Sequence, residues 1–505
     1  MSSVNFVVTP KRFFLNCALL SLLVLRTFAA DPVTFSINTR APGATIPADF
    51  LGLSYETSRM LPDDKDAHYF RPDNAPLIET FRTLGVKSLR IGGNSVDASL
   101  IAIPSENDVR AFFDFARAAG VKVIYSVRLH GGDPASAAKV AKLIHDHYAD
   151  VLDRFAIGNE PDYYKDYGVY RPRWTVIRDA IVAVYPEAKF SGPDQNPPDA
   201  KSLAPGAPPN LFQRISRDFT GESGRLDQVT LHSYPFGCSY KNPRDGAEDI
   251  LKLVPADAAE SREKLLSPTA YDLYEKIRAA TTASIAGAPV SFRLTETNTY
   301  WYSGLKGASD SYASALWAVD YLHWWAAHGS AGVNFHTGDK TGGAIMLPCR
   351  YAAFVTTAKN DGYDMRPLAY GMKLFALGGH GRSLAVSAAA SKSEVAVYAT
   401  QPDAKTVTVT LINKSHGTAA MTQTVEVQFD TALEASAEMI LLTSSDHDIA
   451  GSAHGITLGG ASIDQAGAWN GRWEALPLTA DRPRTIVVQL PPASAAVVRA
   501  SLRQN

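Results

Sequence analysis

Two glutamates stand in short polar motifs that close apolar runs: Glu160 in Gly158-Asn159-Glu160-Pro161 and Glu296 in Leu294-Thr295-Glu296-Thr297-Asn298. Two carboxyls opposed across a cleft are what glycoside cleavage needs. One gives a proton to the departing oxygen while the other attacks the anomeric carbon; a separation of about 5 to 5.5 Å goes with retention of configuration and a wider gap with inversion. Either motif alone reads as well as a solvated loop or a helix cap. The pair carries weight only where a fold sets the two face to face.

The elements that must do so are legible between Phe50 and about Leu377, where short apolar runs alternate with longer stretches of helical period, the pattern of βα units on a parallel sheet. Eight runs read as strands: Leu51 to Glu56, Ser88 to Asn94, Val121 to His130, Phe155 to Glu160, Lys189 to Asp194, Gln228 to Tyr234, Phe292 to Glu296 and Gly332 to His336. Between them, Glu106 to Ala119 and Ala135 to Tyr148 carry apolar residues at helical spacing; Ser105 and Asp108 are placed to cap the first, and Gly120 to stop it. Eight units make a closed (β/α)8 barrel. An open doubly wound sheet would want a glycine-rich phosphate turn after its first strand, and Gly92-Gly93 follows the second without that pattern. In a barrel the site lies at the carboxyl ends of the strands. Glu56, Asn94, His130, Asn159, Glu160, Asp194, His232, Tyr234, Glu296 and His336 would converge there, with Glu160 on strand four facing Glu296 on strand seven.

After about Gly378 the texture changes to alternating runs such as Glu394 to Ala399, Thr406 to Leu411, Thr424 to Phe429 and Thr485 to Leu490, which read as an antiparallel β-sandwich. The domain plan is an α/β chain: signal peptide over 1–30, a strand within 31–48 joining the sandwich, the (β/α)8 (TIM) barrel over 49–378 and the β-sandwich over 379–505. The leader reading rests on Lys11 and Arg12 before the apolar run Phe13 to Leu25 and small residues at Ala29 and Ala30; the run is too short to span a bilayer. A secreted or periplasmic protein is expected. The 505 residues allow two domains, and a net charge of -2 offers no field to gather nucleic acid or a membrane surface. Cys17 leaves with the leader, while Cys238 and Cys349 read as free thiols or as one disulfide.

With Asn-Glu closing strand four and Glu closing strand seven, the barrel resembles the retaining glycoside hydrolases of clan A. Leu51-Gly-Leu-Ser-Tyr-Glu56, Leu89-Arg-Ile-Gly-Gly-Asn94 and Met365-Arg-Pro-Leu-Ala-Tyr-Gly-Met372 are similar to glycoside hydrolase family 79, which holds β-glucuronidases and heparanases. The resemblance implies that Glu160 is the acid/base, Glu296 the nucleophile, Asn159 a partner of the sugar 2-hydroxyl and Tyr234 the residue orienting the nucleophile, with Glu56 and Asn94 holding hydroxyls of the terminal sugar. The implied partner is a carbohydrate, cleaved at a terminal β-linked glucuronic acid without a cofactor. One departure stands out. Glucuronidases of the family show a glycine-rich loop after strand eight leading to a tyrosine that helps bind the sugar carboxylate, whereas this chain reaches its next tyrosine only at Tyr351 and offers Lys340 or Arg350 as cations.

Other readings of the same residues stay open. His130, His232 and His336 suit orientation of sugar or carboxylates, and a metal site is the lesser reading, since metal-dependent barrels place a His-x-His pair where this chain has Ser54-Tyr55-Glu56. Tyr300 and Trp301 stand to stack on a sugar or merely to cover the barrel mouth. Trp317, Tyr321, Trp324 and Trp325 read as packing. Two rival functions remain: a clan A β-glycosidase for a neutral sugar, and a carbohydrate-binding barrel without activity, which ought to have lost one of the two carboxylates.

Overall fold

The computed structural model describes residues 32–164, 166–197, 206–220, 225–237, 257–341, 347–388, 394–445, 447–451 and 455–503. The expected leader, Cys17 and Cys238 lie outside them; Cys349 is buried. No helix among the described residues is long and apolar enough to cross a membrane.

The chain opens with a long strand, β1 (Val33–Ile46), and then enters a closed ring of eight parallel strands: β2 (Leu51–Glu56), β3 (Ser88–Gly92), β4 (Lys122–Val127), β5 (Leu152–Ile157), β6 (Phe190–Gln195), β7 (Gln228–His232), β8 (Ser291–Thr297) and β9 (Val333–His336). Closure is made by β9 against β2, with Leu51 opposite Val333. The helices among the described residues are α1 (Ala75–Leu84), α2 (Glu106–Ala119), α3 (Pro134–Tyr148), α4 (Tyr167–Val184), α5 (Leu211–Thr220), α6 (Ala258–Leu266), α7 (Ala270–Ser284), α8 (Tyr312–Ala327) and α9 (Pro367–Gly378). The caps read from sequence are present on α2: Ser105 and Asp108 form a reciprocal capping box, and Gly120 ends the helix at φ 73°.

All eight strand runs are found, but several stop short of their expected ends. β4 ends at Val127, and β3 ends at Gly92 and β5 at Ile157 because the chain turns out of the sheet at Gly93 (φ 67°) and Gly158 (φ 82°). The functional residues that follow therefore sit in the first turn beyond each strand, where side chains lean over the mouth.

Two short hairpins, β10 (Lys340–Thr341) with β11 (Leu347–Pro348) and β12 (Phe354–Thr356) with β13 (Tyr363–Met365), fill the connection after β9. The remaining strands are β14 (Gly381–Ala388), β15 (Val395–Gln401), β16 (Thr406–Asn413), β17 (Gln423–Phe429), β18 (Leu433–Ser444), β19 (Ile456–Leu458), β20 (Glu474–Pro477), β21 (Thr485–Leu490) and β22 (Ser494–Leu502). They form one sheet in the order β19-β18-β22-β16-β15-β14-β1-β17-β21, with β20 on β18; every pairing is antiparallel except β1 with β17. The sheet doubles over on itself, since Val407, Val409 and Leu411 of β16 share a core with Val425, Val427, Ile486 and Val488 of the far strands.

The alternation seen in the sequence marks two packed faces here, where a solvated outer face would be the ordinary expectation. Ile412 of β16 and Ala495 and Val497 of β22 turn the other way and join the barrel's core. The helix between barrel and sheet, α8, is apolar on every side because it is covered on every side. Trp317 and Trp325 pack against Phe335 and Phe292 of the barrel strands, so the tryptophan cluster is core.

One charged cluster lies in this otherwise apolar seam. Asp320 of α8 accepts from Tyr271 of α7 (2.8 Å), Tyr398 of β15 (2.6 Å) and Lys414 beyond β16 (2.5 Å), and both ion-pair partners are buried. Removing one member strands the other charge without water. Lys414→Met is expected to cost about 3 to 5 kcal/mol, and the double variant Asp320→Leu, Lys414→Met to recover most of that loss. Urea unfolding of the three proteins checks both.

Candidate active site

Ser54 on β2 and Arg90 on β3 point into the barrel from neighbouring, register-paired positions. Arg90 is fully buried, and its guanidinium donates to Ser54 Oγ (3.2 Å), Glu296 Oε2 (2.8 Å), Asn159 Oδ1 (2.7 Å) and Asp194 Oδ2 (3.0 Å). Burial disfavours its charge, but Asp194 and Glu296 more than compensate and raise its pKa. Arg90 is a site residue that reading by strand ends missed; the signal was a charge in the middle of the strand Ser88-Leu-Arg-Ile-Gly92.

Glu296 is bracketed by donors. Tyr234 donates to Oε1 at 2.9 Å, Arg90 to Oε2, and His336 Nδ1 lies 3.6 Å from Oε2. Burial works to raise the carboxyl's pKa, but His336, His232, Arg90 and the Tyr234 bond together hold it well below the usual carboxylate range. The His336 imidazole is pushed down by burial and pulled up more strongly by Glu296 and Glu56, for a net rise.

Glu160 sits in the turn after β5 with left-handed backbone (φ 40°), fastened by its N–H to Asp194 O (2.9 Å). Such a conformation is costly for a residue with a side chain and is held only by its surroundings. Its Oε1 lies 2.9 Å from His232 Nδ1, and its side chain is the more exposed of the two carboxylates. A carboxylate oxygen of Glu160, one of Glu296 and a nitrogen of His232 all fall within 4.8 Å of one another. Oxygens this close fit a carboxyl separation of about 5 to 5.5 Å, which goes with retention, better than one of about 6.5 to 9.5 Å, which goes with inversion. The same three side chains form the one group of metal-capable residues among those described, but the Arg90 guanidinium already occupies Glu296 Oε2, and an ion would have to compete with that fixed cation.

The remaining expected residues divide into cleft and scaffold. Asn159 is locked from both ends, Oδ1 by Arg90 and Nδ2 donating to Asn94 Oδ1 at 3.0 Å, and Asn94 is exposed to the mouth. Glu56 is buried: its Oε2 accepts from Ser95 N–H (2.8 Å) and its Oε1 faces His336 Nε2 at 3.6 Å. Gly93 makes this possible, since a Cβ there would lie 2.3 Å from Glu56 Oε2. His232, expected to orient sugar or carboxylates, meets a carboxylate: it is wholly buried with Nδ1 on Glu160, and its Nε2 faces Asp194 Oδ1 at 3.9 Å without a hydrogen bond.

Tyr300 also departs from expectation. A bridge between Phe236 and Tyr300 continues the pairing of β7 with β8 and turns the Tyr300 ring inward, where its hydroxyl donates to Ser261 O at 2.9 Å. Trp301, in the turn that follows, is 45 % exposed and stacked on Tyr302. Tyr351 comes into the site despite its distance along the chain: its hydroxyl lies 3.4 Å from that of Tyr234, and Asn298 ties Tyr351 O and His336 O together. Of the two cations in that connection, Lys340 is exposed and Arg350 half-buried.

No protein-family model and no curated protein matches the sequence. Solved structures do match. A 4-O-α-L-rhamnosyl-β-D-glucuronidase from Fusarium oxysporum 12S superposes with TM-score 0.66 at 17% identity, covering 92% of this chain and 99% of that one. A GH51 arabinofuranosidase from Xanthomonas axonopodis pv. citri gives 0.64 at 16% identity over 93% and 99%. A monomeric β-xylosidase from Caulobacter crescentus CB15 gives 0.62 at 13% identity over 93% and 99%. The likeness spans nearly the whole of each chain, so barrel and appended sheet are shared as one architecture.

The depressed pKa of Glu296 carries a sign that can be checked. The stabilisation associated with its anion is complete above the unfolded value of about 4.3 and is lost as pH falls through the lower folded value. In His336→Gln one of the influences lowering it is gone, and the Glu296 carboxyl carbon should titrate at higher pH by NMR than in the parent. An unchanged titration would refute the assigned cause.

Proposed function

We propose that this protein is a retaining β-glycosidase that releases terminal β-linked glucuronic acid, with Glu160 as acid/base and Glu296 as nucleophile. The observation that carries the reading is the carboxylate pair within 4.8 Å, one member bracketed by donors that favour its anion and the other more exposed on a strained turn. In the first step Glu296 attacks the anomeric carbon and the protonated Glu160 gives its proton to the leaving oxygen as that bond breaks. In the second, Glu160 takes a proton from water, which attacks the same carbon and releases Glu296. His232 Nδ1 supports the Glu160 anion between the steps. Asn159 keeps a second Nδ2 hydrogen for the sugar 2-hydroxyl, in an orientation set by Arg90 and Asn94.

Three observations support the wider reading. The fold is shared with proteins named as a glucuronidase, an arabinofuranosidase and a xylosidase. Both carboxylates are present and mutually placed, which a silent binding barrel has no reason to keep. Tyr351 reaches the pocket beside Tyr234, which supports recognition of a sugar carboxylate by a tyrosine that follows strand eight. A neutral sugar is the second reading, favoured by the names of the arabinofuranosidase and the xylosidase. Export through a leader over 1–30 belongs to the same proposal, with action outside the cytoplasm.

The assay is hydrolysis of 4-nitrophenyl β-glucuronide and β-glucoside, which differ at C6. A preference for the glucuronide, abolished in Glu296→Gln, is the expected result; a preference for the glucoside would overturn the uronic acid reading and keep the mechanism. Glu160→Gln should lower kcat/KM by about 10² to 10⁴ on substrates whose leaving group needs protonation. Azide, which needs no base, should restore turnover of activated substrates and give the β-glycosyl azide by NMR. An α-azide product would contradict retention.

A further inference from the structure

We propose that His130 and Tyr163 form the subsite that receives the leaving group, and that the group it takes is a six-membered ring presenting a flat face, the next sugar of a glycan or an aryl aglycone. This rests on the reading of Glu160 as the acid. An acid must reach the leaving oxygen, so the surface that emerges beside Glu160 borders the group that departs.

Among the described residues three large aromatic side chains are exposed, Tyr163 (42 %), Trp301 (45 %) and Tyr302 (39 %), and each follows one of the two glutamates by three to six positions. Trp301 and Tyr302 leave the nucleophile's strand; Tyr163 leaves the acid's turn. The Tyr163 ring meets that of His130, exposed at the end of the β4 connection, with centroids 5.0 Å apart and planes inclined at 48°. The two rings touch, and both are exposed.

The pair is held rigidly. Asp97, in the turn beyond β3, accepts from Tyr163 OH (2.9 Å) and Asn159 N–H (3.0 Å) on one oxygen and from Leu129 N–H (2.8 Å) and His130 N–H (2.9 Å) on the other. One carboxylate thus poses the three loops that follow β3, β4 and β5, and couples Tyr163 to the residue preceding the acid. Arg128 adds bonds to the carbonyls of Val96, Ala98 and Ile101, clamping the loop that carries the exposed Leu100. Exposed rings held in place before any ligand arrives are preorganised for one. Faces of this kind suit the C–H face of a pyranose or the π face of an aryl group.

The test compares Tyr163→Ala, His130→Ala and Tyr163→Phe with the parent on three glycosides of one sugar: the 4-nitrophenyl glycoside, a disaccharide and the methyl glycoside. Dividing each variant's kcat/KM by the parent's on the same substrate removes intrinsic leaving-group differences. The alanine variants should lose about tenfold on the two ring-bearing substrates and less than about twofold on the methyl glycoside, and Tyr163→Phe, which keeps the ring but gives up its bond to Asp97, should lose less than Tyr163→Ala on the ring-bearing pair. Loss on one ring-bearing substrate alone supports the subsite and identifies its ring. Equal loss on all three overturns it. A readout without turnover separates this from the hydrolase reading: in Glu296→Gln, saturation-transfer NMR should reach the 4-nitrophenyl ring protons, and adding Tyr163→Ala should abolish that transfer. Transfer that persists, or never occurs, overturns the subsite whatever the parent hydrolyses.

Discussion

Arg90 donates to Ser54, Asn159, Asp194 and Glu296 at once, from a position with no access to water. Counting its own, those residues come from five different strands or the turns directly beyond them. An unpaired guanidinium there would be prohibitively costly, and two carboxylates so close would repel each other without it. The barrel and its cation are therefore mutually dependent: ring closure creates the water-free interior, and the guanidinium makes that interior tolerable for two buried acids. The ionisation of Glu296, the amide orientation of Asn159 and the placement of Asp194 follow from the same set of bonds.

From Asp194 the order passes to the other carboxylate. Its backbone oxygen holds the strained Glu160 turn, and its side chain is fixed by Arg90 and by Thr295 Oγ1 at 2.7 Å. The two glutamates thus differ in chemistry for a structural reason. Glu296 is surrounded by donors on a strand; Glu160 is on a turn, more open to the mouth, with one imidazole beside it. The proposed mechanism asks the two to hold opposite protonation states in one step, and unequal surroundings suit that demand.

The appended sheet bears on this arrangement through α8. By covering that helix on the side away from the barrel, the sheet allows it to carry Trp317, Tyr321, Trp324 and Trp325, and their bulk backs β8 and β9, which present Glu296 and His336. The Thr297 hydroxyl, next to Glu296, lies 2.8 Å from that of Tyr321, a direct link from the seam to the site.

By itself the sequence determined the eight-strand ring, the helix caps of α2 and the candidacy of Glu160 and Glu296, because these depend on local periodicity, on capping chemistry and on counting units along the chain. It also exposed the change of texture after Gly378. What only the tertiary structure decided depends on contacts between distant residues. Tyr351 enters the pocket although it stands fifteen positions past His336, and Arg90 looks from sequence like one charge in a strand until the ring closes around it. Tyr300 and Trp301, neighbours with equal claims on a sugar face, were separated by the Phe236 bridge that fixes which of them turns inward. His232 is wholly buried with Nδ1 on the Glu160 carboxylate, a contact with a residue seventy-two positions away. A one-residue change of register reverses a side chain's face, and register is set by pairing across the sheet, so alternation along one strand could not assign these roles.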